Sequence, residues 1–215
     1  MSTARDAVIS SPELVELILA RMPMRDLLVA APRVSKTWNA ITLTPTLQRI
    51  LFFQPAPSHW APMRNPLLME LLPPFFAPRG RVSWPVHTEI MAQMAFKRPD
   101  ASWRRMLVVQ PPAPALIVNE IHNADGGESR SQTTVNYDHP SFPGLRMGAL
   151  YDLAVPLIKH PISSFYISWP GHDGVPCDEE LTLMIWTRQY DPDWRARAPP
   201  WFHSGSLTRR SPLAR

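Results

Sequence analysis

The sequence predicts an α+β chain: a small N-terminal module of three to four helices, a proline-rich linker, and a C-terminal mixed α+β region with a small sheet. Three observations lead there. Apolar residues recur at helical spacing over 9–53, punctuated by prolines and capping residues. Seven prolines crowd residues 54–80. Beyond residue 80, runs rich in β-branched and aromatic residues alternate with helical patterns. The expected division is 9–53 helical, 54–80 linker, 81–198 α+β, and 199–215 a polar, basic, disordered tail.

Each helix of the first module has its own signals. Ser10 and Glu13 have capping-box spacing, and Pro12 falls in a first turn, where its missing N–H needs no partner. Leu14, Ile18 and Met22 lie four apart on one face, and Pro23 ends the helix. A second helix is expected over 26–31, with Asp26 in its first turn and Leu27 and Leu28 as its apolar side. Pro32 should break it. A third, over 33–41, carries Val34, Trp38 and Ile41 at i, i+4 and i+7. A fourth opens with Thr44 as cap and Pro45 in the first position, with Leu47, Ile50 and Leu51 inward.

The C-terminal region reads as strands over 106–109, 115–121, 165–169 and 181–188. Helices are expected over 88–97 and 145–159, the latter with Leu150, Leu153, Leu157 and Ile158 on one side. A helical turn is expected over 101–105. Residues 123–133, around Gly126 and Gly127, read as a polar turn or loop. Trp103 and Trp186 are assigned to the core.

Composition narrows the function. The chain has 26 prolines against 8 glycines, which suggests folded segments joined by stiff connections. Its 45% hydrophobic content suffices for a core. The net charge of +4 comes from scattered residues with no run of four, which argues against nucleic acid as a partner. One cysteine, Cys177, excludes an internal disulfide and a cysteine zinc cluster. Without an apolar leader or an 18-residue apolar run, the chain is expected in the cytoplasm or nucleus, with no membrane contact.

Catalytic and metal patterns are missing. The seven histidines lack close zinc-type pairing, so no metal is expected. Glu120 and His122 share a strand face but lack further ligands. His172, Asp173 and Gly174 read as a surface turn. Carboxylates crowd Cys177 and disfavour its thiolate. There is no glycine-rich phosphate loop or Gly-x-Ser-x-Gly elbow, so no cofactor and no catalytic residue is assigned.

The N-terminal segment resembles the F-box, in its fungal F-box-like form. The resemblance rests on Pro12-Glu13-Leu14-Val15-Glu16-Leu17-Ile18-Leu19, Met24-Arg25-Asp26-Leu27-Leu28, Arg33-Val34-Ser35-Lys36-Thr37-Trp38 and Leu47-Gln48-Arg49, in that order and spacing. It covers about a fifth of the chain. Asn65-Pro66-Leu67-Leu68, Pro73-Pro74-Phe75-Phe76, the stretch from Ala101 to Leu107, and Leu181-Thr182-Leu183 resemble the same fungal proteins. Many F-boxes begin with Leu-Pro; here Ser10 and Ser11 stand there, with Pro12 one place later.

The resemblance implies a non-enzymatic adaptor. F-box helices pack on a Skp-type protein, which joins a cullin scaffold. The rest of the chain holds a substrate protein for ubiquitination. Carried over by position, the Skp-facing residues are Pro12, Glu13, Leu14, Ile18, Leu27, Leu28, Val34 and Trp38. The alternatives are a Skp-binding protein acting outside the ligase, and a basic nucleic-acid-associated helical protein. The plain reading of the same stripe is the core of a helical bundle.

Overall fold

The computed structural model describes residues 9, 11–57, 61–77, 98–124, 127–137, 143–158, 163–172, 174–175 and 180–187. It is an α+β chain in two compact units, Met1–Pro57 and Ser58–Arg215. The expected helix at 88–97 and the tail at 199–215 lie outside the described residues.

In the first unit the described elements are helices: α1 (Pro12–Leu19), α2 (Met24–Val29), α3 (Ala31–Val34), α4 (Lys36–Thr42) and α5 (Pro45–Ile50). Ser11, not Ser10, caps α1, its hydroxyl accepting from the Leu14 N–H. Pro32 does not break the chain, because it sits in the first turn of α3, where no helical N–H bond is lost. The single helix expected over 33–41 is split at Ser35. That residue is fully extended, and its hydroxyl accepts from the Trp38 N–H at 3.1 Å to start α4. Thr44 precedes α5 as expected, yet its hydroxyl donates to Glu16 Oε1 at 2.9 Å, tying α5 to α1. α5 ends in a Schellman motif: the N–H groups of Phe52 and Phe53 return to Arg49 and Gln48. Phe52 takes the left-handed position there, with φ 61°. The core gathers Val15, Leu19, Leu27, Ala31, Ile41, Leu47 and Leu51.

The second unit begins inside the expected linker. β1 (Met63–Arg64) pairs antiparallel with β2 (Val109–Gln110), and α6 (Pro66–Leu71) follows, then a 3-10 turn at Pro73–Phe75. Leu67, Leu68, Leu72, Phe75 and Phe76 are buried, so 61–77 is part of this fold. Its prolines open helical turns, at Pro66 and Pro73, instead of keeping the chain extended. Asn65 fixes the segment: its side chain caps α6 through the Leu68 N–H and donates to the Leu107 carbonyl.

A four-stranded sheet of order β4-β3-β6-β5 carries the rest. β3 (Ala115–Ala124) pairs antiparallel with β4 (Gly127–Asn136) and parallel with β6 (Thr182–Thr187), and β6 pairs antiparallel with β5 (Ser163–Ser168). Of the polar run expected as a turn or loop over 123–133, residues 123–124 end β3 and residues 127–133 are most of β4. Residues 106–108 are not a strand; Leu107 makes one bridge, to Arg146. The inner face holds Leu116, Val118, Val135, Phe165, Ile167, Leu183 and Ile185, and α7 (Met147–Ile158) packs on β5. Trp169 is the buried tryptophan here: its ring stacks on Phe76 at 4.9 Å and its N–H donates to the Phe75 carbonyl at 3.2 Å. Trp103 is also buried. Trp186 is not core, because its register places it on the outer face, stacked on Tyr166.

Candidate partner-binding face of the N-terminal unit

α1 carries apolar residues on two sides. Val15 and Leu19 point inward and are buried. Leu14, Leu17 and Ile18, at i, i+3 and i+4, lie together on the opposite side and are 44%, 65% and 48% exposed. The stripe read from the sequence was thus the outer one, with Met22 leaving it to pack on the core. Ile9, Val29, Val34 and Leu43 are exposed as well. Of the eight exposed large apolar residues among those described, seven belong to this unit and one, Met63, to the other.

The expected contact residues divide three ways. Pro12, Glu13, Leu14, Ile18 and Val34 are exposed. Leu28 and Trp38 are partly buried, packing against the core while keeping some surface. Leu27 is 0% exposed and belongs to the core, which corrects its assignment to a contact surface: the α2 side that carries it faces the interior. Leu17, Val29 and Leu43 are exposed apolar residues of this unit that were not in the expected set. Leu17 was recoverable from its i+3 offset to Leu14.

The start of α1 is polar. Glu13 accepts the Ser11 hydroxyl at 2.9 Å. Its carboxyl is held below the ordinary value by its own backbone N–H and then by that hydroxyl. An exposed carboxylate at the positive end of α1 beside an apolar stripe is suited to a polar rim around an apolar contact. Burying the remaining half of Leu14, Leu17 and Ile18 on a partner would contribute about 1 kcal/mol each.

The sheet of the second unit gathers a buried polar group. Glu120 and His122 do share the inner sheet face: His122 Nε2 lies 3.3 Å from Glu120 Oε2, its Nδ1 lies 2.5 Å from Thr187 Oγ1, and Ser131 donates to Glu120 at 3.1 Å. These contacts make a hydrogen-bonded cluster on the sheet. Among the described residues, no set of three or more His, Cys, Asp and Glu could hold a metal. His172 closes the expected turn, accepting from the Val175 N–H, with Gly174 at φ 78°. Cys177 lies outside the described residues. Among the described residues, no helix is long and apolar enough to cross a membrane. Compared with protein-family models, with curated proteins and with solved structures, the chain has no match in any of the three.

Proposed function

We propose that this chain is an F-box-like adaptor: its first unit binds a Skp-type protein, and its second holds a protein to be ubiquitinated by the cullin ligase assembled on that Skp. One observation carries the reading. Among the described residues, exposed large apolar side chains concentrate in the first unit, with three of them aligned on α1 inside the segment that resembles an F-box. A unit of 57 residues has too little interior to bury all its apolar groups, and a stripe left outside is what a stable partner would cover. The contact surface comprises Pro12, Glu13, Leu14, Leu17, Ile18 and Val34, with the outer edges of Leu28 and Trp38.

The test is co-purification of the full chain with a Skp-type protein. Leu14→Glu, Leu17→Glu and Ile18→Glu, combined, should weaken capture by at least about a hundredfold, since roughly 3 kcal/mol of apolar burial is lost. The helical signal should stay unchanged, because none of the three is core. Failure of the unaltered chain to bind, or full binding by the triple variant, would sink the proposal. Ligase function further requires cullin in the same complex.

A further inference from the structure

Among the described residues the outer edge of β4 is unpaired, and its position in the sheet defines the hydrogen-bonding pattern it presents. β4 is the terminal strand of the sheet, and its register with β3 runs unbroken over ten pairs, from Ala115 opposite Asn136 to Ala124 opposite Gly127. The Tyr137 N–H donates to the Pro114 carbonyl at 2.6 Å, which fixes the phase of the ladder. Residues that exchange bonds with a neighbour recur at every second position of an antiparallel pair. Val135, Thr133, Ser131 and Ser129 therefore aim their backbone groups at β3, and Glu128, Arg130, Gln132 and Thr134 aim theirs away. Among the described residues no strand lies on that side.

Exposed edges are commonly blunted by proline, lysine or a bulge. Residues 128–134 carry no proline, no lysine and no bulge, and their two charged side chains, Glu128 and Arg130, are paired with each other. We propose that this edge takes an extended segment of a partner protein as an added fifth strand. On the adaptor reading, that partner is the recruited protein.

The side chains define the segment. Glu128 and Arg130 lie on the outer face, bonded to each other and largely solvated. An antiparallel strand sets one side chain directly opposite each, so an acid opposite Arg130 and a base opposite Glu128, two residues apart, complement the edge. Thr133 is buried on the inner face, so the residue facing it should be small and apolar. A second copy fits less well: matching Glu128 to Arg130 in a self-paired edge carries Gln132 and Thr134 past the start of β4.

The experiment uses the full chain and two fluorescein-labelled, blocked peptides. One is Thr-Val-Gln-Val-Asp-Thr-Lys, placing Asp against Arg130 and Lys against Glu128; the other exchanges its Asp and Lys. Fluorescence anisotropy should show saturable binding of the first peptide below about 1 mM, roughly threefold tighter than the second. Gln132→Pro removes an outward N–H and spares the ladder to β3, so it should abolish binding. Glu128→Arg with Arg130→Glu should invert the peptide preference. Capture of a Skp-type protein by both variants should match the unaltered chain, which separates failure at this edge from failure of the adaptor reading. No binding of either peptide, equal binding of the two, indifference to Gln132→Pro, or a dimer that the peptide does not dissociate would each overturn the proposal.

Discussion

Replacing Leu27 by alanine removes three carbon atoms from a side chain with no solvent exposure, at the centre of the seven-residue core of the first unit. Lost transfer energy and the residual cavity together cost about 2–5 kcal/mol. A 57-residue unit holds on the order of 3–8 kcal/mol in total, so this one change removes about a quarter or more of it. Leu14→Ala deletes the same atoms from a residue 44% exposed on the outside of α1, where the loss is roughly 0.5–1 kcal/mol. The assay is a urea titration of the full chain, followed through the amide signals of α1 to α5. Signals from β3 to β6 serve as the internal control. Leu27→Ala should lower the midpoint of the first unit by about 1–3 M, and Leu14→Ala by less than a third of that. Equal shifts for the two variants would refute the assignment of inner and outer faces.

Three further outcomes are expected. Ser35→Ala deletes the hydroxyl that starts α4 and should destabilise the first unit by about 1 kcal/mol, read as faster amide exchange at Trp38 and Asn39. The Glu13 carboxyl should titrate below 4.5 by NMR, and Ser11→Ala should move its midpoint up. Its folded value is depressed, so the α1 contribution is present above the unfolded value and is lost as pH falls through the folded one. Trp169→Phe leaves the Phe75 carbonyl without its indole donor and should cost the second unit about 1–3 kcal/mol in denaturant unfolding.

The starts of α1 and α5 were legible because proline acts locally. Pro12 and Pro45 mark first turns whatever surrounds them. The inward face of α1 was not, because Leu14 and Ile18 have the same helical spacing as Val15 and Leu19. Periodicity finds a stripe and does not say which side meets the core. β4 escaped notice for a related reason: an edge strand with one solvated side carries Ser, Gln and Thr, which read as a loop until β3 supplies the ladder. Pro66 and Pro73 each begin a helical turn inside the run read as a linker, and the Phe75 carbonyl is met by Trp169, 94 positions downstream. The outward position of Trp186 follows from strand register, which composition does not encode.

Trp169 and Phe75 meet across 94 positions of sequence, whereas the helical core closes between Val15 and Leu51. The two units therefore mature on different schedules during synthesis. At ribosomal speeds the stretch from Phe75 to Trp169 takes about 5–20 s to emerge. Throughout that interval Phe76 lacks the ring that stacks on it and the Phe75 carbonyl lacks its indole donor. The helical unit needs no such wait, so its core and the outer face of α1 are complete while the rest of the chain is still being made.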